Sequence, residues 1–125
     1  MTDYDTAAVA AEIRALFDAY EAALGSNDVA ALAGFFWVDP KVVRLGPGGG
    51  LYGHDQITAF RKARDVTDIA RDLSEIRISV LGPDIGVATC EYTRRSSGRR
   101  GAQSQVWQRL PEGWRIVSAH VSLDG

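Results

Sequence analysis

A chain of 125 residues with 46% hydrophobic side chains is the size of one domain, one that buries roughly two-thirds of its unfolded surface. Fourteen basic against sixteen acidic side chains leave a net charge of -2, with no basic stripe to follow a phosphate backbone, which argues against nucleic acid as a partner. The opening MTDYDTAAVAAEIRA lacks the positive start and apolar centre of a leader, and no later stretch approaches the roughly 18 apolar residues that cross a bilayer, so a cytoplasmic protein without a membrane partner is expected.

Val9, Ile13, Leu16, Phe17, Tyr20 and Leu24 recur at three-and-four spacing, which predicts an amphipathic helix over 6–24 with Tyr20 on its buried stripe and Gly25 as C-cap. The SND at 26–28 offers N-cap chemistry to a second short helix through Leu32 and Phe35, ended by WVDP because Pro40 disfavours helical geometry at Asp39. KVVRL at 41–45 reads as a strand. A helix from His54 to about Ala63 follows, with Ile57 and Phe60 on its buried face.

From about residue 72 the period becomes two. DLSEIRISVL, IGVATCEYTRR, AQSQVWQRL and GWRIVSAHVS are separated by turn signals at Gly82-Pro83-Asp84, at 96–101 and at Pro111-Glu112-Gly113, as consecutive antiparallel strands would be. Two helices, a strand, a helix and four strands make an α+β domain with helices on one face of a curved sheet. The single cysteine, Cys90, sits in the second of these runs; it can form neither an internal disulfide nor a thiolate zinc site and reads as a buried, inert thiol.

Gly48, Gly50 and Gly53 match G-x-G-x-x-G, with Glu75 about 20 residues onward as a dinucleotide fingerprint requires. The helices ahead of the first strand and the antiparallel strands at the end of the chain contradict a doubly wound fold, and no Lys-Ser/Thr completes a P-loop. The glycines are better read as a flexible turn from strand to helix.

The arginines of this region demand more. Arg61 and Arg64 follow Ile57 at i+4 and i+7 on the apolar face of the third helix, where they either snorkel and pair with a carboxylate such as Glu91 or face a ligand. Arg44 lies among Val42, Val43 and Leu45 in an apolar strand, where an unpaired guanidinium is costly. Either an internal carboxylate neutralises it, or its planar fork is kept to hold an anion in a cavity. Strict alternation puts Trp114, Ile116, Ser118 and His120 on one face of the last strand, and Gln103, Gln105 and Trp107 on one face of the strand before it. With Tyr20 and Arg44 these groups would line a pocket apolar at its base and cationic at one end.

FFWVDPKVVRLG, LYGHDQITAFRKAR, QSQVWQR and GWRIVSAHVS together resemble the AtzH-like family of the NTF2-like, or SnoaL-like, superfamily, from about residue 8 to 123. The resemblance implies a cone-shaped fold and a decarboxylating amidohydrolase acting on a small N-carboxylated urea, of the type that converts 1,3-dicarboxyurea to allophanate in nitrogen catabolism. It implies catalytic roles for Tyr20 and Arg44, a homodimer, and functional association with an amidase-signature enzyme. The sequence departs from the family pattern at Gly48 to Gly50, where an acidic residue is usual, and at Ala102, which stands for an arginine.

Losing CO2 from an N-carboxylate returns electrons to nitrogen, so the reaction needs a proton donor there and a dry site that holds the departing group, and it needs no cofactor. On this reading Arg44, with Arg61 or Arg64, binds substrate carboxylates, Tyr20 donates the proton or orients water, and Gln105, His120, Trp37 and Ser118 hold the rest of a small anionic ureido substrate. Two other readings remain: a non-catalytic ligand-binding or accessory subunit of an amidase, and a SnoaL-like isomerase or dehydratase, whose pocket would carry an acid/base carboxylate or histidine pair.

Overall fold

The computed structural model describes residues 4–124. Helix α1 spans Thr6–Ser26, opened by Asp5, whose side chain accepts a hydrogen bond from the Ala8 N–H at 3.2 Å. It runs past the expected stop at Gly25: the left-handed cap is Asn27, at φ 49 and ψ 45, whose N–H reaches the carbonyls of Ala23 and Leu24. Asparagine tolerates that conformation better than other side-chain-bearing residues, so Gly25 stays helical. Asp28 then caps α2, Val29–Phe35, by accepting from the Ala31 N–H at 3.2 Å.

Strand β1, Val43–Gly46, turns at Pro47-Gly48 into β2, Gly49–Tyr52, a hairpin with Leu45 opposite Gly50 and Gly46 opposite Gly49. Of the glycines expected to form a strand-to-helix turn, Gly50 is therefore strand, Gly48 lies in the hairpin turn, and only Gly53 stands between strand and helix, as the N-cap of α3. The Tyr52 ring lies over Gly50, covering backbone that has no side chain of its own. Helix α3, His54–Ala63, leads to the long strands β3 (Arg71–Gly82), β4 (Ile85–Arg94), β5 (Arg100–Leu110) and β6 (Gly113–Leu123).

The six strands form one sheet in the order β2-β1-β6-β5-β4-β3, antiparallel throughout except that β1 lies parallel to β6. Val9, Ile13, Phe17, Tyr20 and Leu24 of α1 pack with Leu32, Phe36, Trp107 and Ile116 into one core on the helix-covered face. Each large apolar side chain fully buried there contributes about 1.5–3 kcal/mol before entropy is counted. Gly86 in β4 allows the close approach of α1, since a Cβ at that position would stand 2.5 Å from Ile13 Cδ1.

The strand ladders slip at three places, one of them beside the β3–β4 turn between Val80 and Gly82. Glu75 takes φ 52 where the β3–β4 register slips between Ser74 and Arg77. In β6, Ser118 pairs with Val106 and Ile116 with Trp107, so Val117 is an extra residue. This bulge reverses the alternation. Ile116 points inward, as expected, but beyond the bulge Ala119 and Val121 face the core while Ser118 and His120 turn to the outer face and are exposed.

Candidate functional site

Three arginines converge on one aromatic ring. In β1 the pleat exposes Leu45 and drives Arg44 inward, to 7% exposure, while one turn after Ile57 on α3 Arg61 is driven to 1%. Arg64 sits at the C-cap of α3. The guanidinium carbons of Arg44, Arg61 and Arg64 lie 4.8, 5.7 and 5.6 Å from the centroid of Phe60. The ring's negative face attracts each of them but cannot accept their hydrogen bonds. Among the described residues none of the three has a carboxylate within salt-bridge distance, and buried nitrogens of all three lack partners: Arg44 Nε, and Nε and Nη1 of both Arg61 and Arg64.

Burial, followed by the neighbouring charge of Arg61, pulls Arg44 from the ordinary arginine range down to about 10, and the same two causes bring Arg64 to about 10. Charge on Tyr20 would act in the opposite direction at both. The side chain of Tyr20 is fixed from two directions: Arg61 Nη2 donates to its hydroxyl at 2.6 Å, and the rings of Phe35 and Phe36 meet it edge-on at 5.8 and 6.2 Å. Because the hydroxyl oxygen accepts from Arg61, the hydroxyl proton is left for another acceptor.

Gln105 adds a further donor. Its Oε1 accepts from Trp107 Nε1 at 3.1 Å, which fixes the amide so that Nε2, buried and unpartnered, is the free end. Nearly every uncommitted polar atom in this layer is thus a donor, the complement of an oxygen-rich anion.

Arg71 gives the contrast. It donates to Glu21 from Nε at 3.2 Å and from Nη2 at 2.5 Å, donates to Gln103 Oε1 at 2.8 Å, and lies 4.4 Å from the Tyr92 ring centroid. Burial works against its charge, but Glu21 outweighs that and raises its pKa. Both fates foreseen for a buried arginine therefore occur: Arg71 is neutralised internally, and Arg44, Arg61 and Arg64 are not. Glu91, the suggested partner of Arg61 and Arg64, instead stands exposed on the outer face, 4.0 Å from Arg100.

The cationic layer opens into a cavity of about 230 Å³ lined by Arg44, Phe60, Arg64, Arg94 and Val121, with Gly46, Gly48 and Gly49 of the hairpin as one wall. Gly46 makes room for Arg44, since a Cβ there would stand 3.1 Å from Nη1. Tyr20 and Arg61, joined by their hydrogen bond, and Gln105 are buried and are not on this wall. A larger concavity of about 540 Å³ is an open groove on the outer face, lined by Glu75, Arg77, Glu91, Ser104 and His120, away from the arginine cluster.

Of the residues singled out in the sequence, Tyr20, Arg44, Arg61 and Arg64 come together, and Gln105 is buried on the same sheet, where Ala119 stands between it and Arg44 in the strand register. His120 and Ser118 do not, because the bulge at Val117 carries them to the outer face. Trp37 packs at the core edge, its N–H bonded to the Ile116 carbonyl at 3.0 Å, and is not on the cavity wall. Phe60 and Arg94 were missed as wall residues, and Glu21 and Arg71 as a buried pair. Arg71 stands one residue ahead of DLSEIRISVL, the first of the four runs read as consecutive strands, and Glu21 follows Tyr20 but lies off the apolar three-and-four stripe of its helix. Cys90 is buried, and burial pushes its thiol up to about 11, which keeps it protonated. Among the described residues no three His, Cys, Asp or Glu side chains gather as metal ligands would, and no helix is long and apolar enough to cross a membrane.

Helices over a bent, six-stranded mixed sheet, with a cavity beneath the third helix, define an α+β protein of the NTF2-like, or cystatin-like, fold. The chain belongs to the AtzH-like family, which it matches over residues 2–125. It is similar to a protein of unknown function from Pectobacterium atrosepticum at 48% identity, covering 96% of this chain and 94% of that one, with a TM-score of 0.91. A cystatin-like fold protein from Burkholderia xenovorans is 35% identical over 94% of this chain and 93% of that one, with a TM-score of 0.89. An NTF2-like superfamily protein from Salmonella enterica is 27% identical over 97% and 94%, with a TM-score of 0.79. No curated protein sequence matches the chain.

Proposed function

We propose that the protein is a decarboxylating amidohydrolase acting on a small N-carboxylated urea, of the dicarboxyurea-to-allophanate type. The observation that carries this reading is the set of unpartnered guanidinium nitrogens of Arg44, Arg61 and Arg64 around Phe60, beside a tyrosine whose hydroxyl oxygen is already occupied by Arg61. A cavity of about 230 Å³ is smaller than the roughly 300 Å³ at which drug-sized sites begin, which suits a compact, oxygen-rich anion. The isomerase or dehydratase reading lacks its acid/base pair: among the described residues no carboxylate or histidine lines this cavity, and Glu21 is committed to Arg71.

In the proposed reaction Arg44 and Arg64 take one carboxylate by charge-assisted bonds. The bond between one carboxylate carbon and the urea nitrogen breaks, its electron pair returns to nitrogen, and CO2 departs. The Tyr20 proton moves to that nitrogen, directly or through a water, and the tyrosinate left behind is held by the Arg61 hydrogen bond until solvent reprotonates it. Gln105 Nε2 supports the urea carbonyl. General acid catalysis of this kind is worth about 10²–10⁴ in rate.

The test is CO2 release from freshly generated 1,3-dicarboxyurea by wild type, Tyr20→Phe and Arg44→Gln. Tyr20→Phe is expected to lower kcat by about a hundredfold or more with KM little changed, and Arg44→Gln to raise KM at least tenfold. Equal turnover by all three proteins would sink the assignment. Ligand binding without turnover in wild type would instead favour a non-catalytic accessory subunit.

A further inference from the structure

The wall of the cavity holds one charged group that the proposed reaction does not use. Arg94, at the end of β4, lines the cavity together with Arg44 and Arg64. Its backbone is fixed, with its N–H bonded to the Arg99 carbonyl at 2.8 Å and its own carbonyl accepting from the Gly98 N–H at 2.9 Å. Its side chain is held loosely: Nη1 stands 3.6 Å from Asp68 Oδ2, well beyond the roughly 2.7–2.9 Å of a good charge-assisted bond. Asp68 has a second donor in the Ser97 N–H at 3.2 Å, so it stays bonded if Arg94 leaves. A partly exposed ion pair of this kind is worth about 0–1 kcal/mol, less than a carboxylate bound in bidentate fashion would return.

We infer that Arg94 exchanges Asp68 for the outer carboxylate of a two-ended anion whose inner carboxylate rests on Arg44 and Arg64, so that the cavity selects dianions over monoanions. The hairpin wall favours this arrangement. Gly46, Gly48 and Gly49 bring neither a side chain to fill the space between the two cationic ends nor a carboxylate to compete for them. Arg94 is then a specificity-determining residue, and Asp68 a competitor that holds it when the site is empty. The inference deepens the anion-site reading given above and rests on it, but it does not depend on turnover.

Calorimetric titration with malonate, succinate and acetate at pH 7.5 and fixed ionic strength tests it. Wild type should bind one of the dianions at least tenfold more tightly than acetate. Arg94→Gln should erase most of that preference while leaving acetate binding within about twofold, and Arg94→Lys should restore only part of it. Asp68→Asn should tighten dianion binding severalfold by removing the competitor. If Arg94→Gln weakens acetate and the dianions equally, Arg94 acts only through the general field and the inference falls. It falls also if wild type binds neither class or shows no dianion preference. Arg94-dependent dianion preference in a protein that turns over no carboxylated urea would uphold the inference and overturn the decarboxylase reading alone. Unchanged thermal midpoints would confirm that the variants are folded.

Discussion

Whether a buried arginine is structural or functional is decided by where its five N–H groups go. Arg71 spends its donors on Glu21 and Gln103, whereas Arg44, Arg61 and Arg64 keep buried nitrogens unspent around Phe60. The depressed pKa values of Arg44 and Arg64, about 10 each and driven first by burial, make anion binding pH-dependent on the alkaline side. Both cations are intact at neutral pH, and affinity should begin to fall as pH passes about 10. A bound dianion favours the charged forms and moves that loss upward, so the midpoint should lie higher in the complex than in the free protein. Malonate titrations from pH 7 to 10.5 would show it: affinity should be flat over the lower part of that range and fall only toward its upper end, and a fall beginning below pH 8 would contradict the assignment of arginines as the binding groups. Arg61→Met removes the donor to the Tyr20 hydroxyl, and should reduce kcat about tenfold or more while affecting KM less, because the other arginines still hold the substrate.

At the level of elements, regular patterns were legible and irregular ones were not. The stripe of α1 and the strict alternation of Gln103, Gln105 and Trp107 in β5 gave the right buried faces, since nothing interrupts the period in either. The inward arginine of β1 was legible for the same reason. Strand β2 was not: Gly49 and Gly50 have low strand propensity, and only their pairing with Gly46 and Leu45, together with cover from the Tyr52 ring, makes them strand. The bulge at Val117 leaves no mark on the sequence, because valine suits a regular strand equally well, and one extra residue is enough to send Ser118 and His120 to the opposite face. The consequence can be measured. His120→Ala should leave kcat/KM within about twofold of wild type. Ala119→Leu, one residue earlier but facing the core, overpacks a filled space and should lower stability by about 1–3 kcal/mol. A large loss of turnover in His120→Ala with no change in folding would show that the outer face serves the site after all.

For the whole molecule, the cationic cluster is a stability defect retained beside an otherwise apolar core. The sign follows from linkage. Arg44 releases its proton near pH 10 when folded and only at higher pH when unfolded, so between those values the unfolded chain binds more protons and stability rises with pH. Below about pH 10 the full penalty of the buried charge is present, on the order of 3 kcal/mol for Arg44 at 1.36 kcal/mol per pKa unit. Part of that penalty is offset by the Phe60 face in the empty protein, and an anion in the cavity would offset the rest. Arg44→Met keeps the length and apolar stem of the side chain, removes the charge, and strands no carboxylate, since among the described residues Arg44 has none as a partner. It should therefore stabilise the ligand-free protein by about 1–3 kcal/mol, a rise of several degrees in Tm, while abolishing the further stabilisation that malonate gives to wild type. Thermal melts of the two proteins with and without malonate separate the possibilities. A destabilised Arg44→Met would mean that the guanidinium is a structural group with partners, and that the cavity is not maintained for an anion at all.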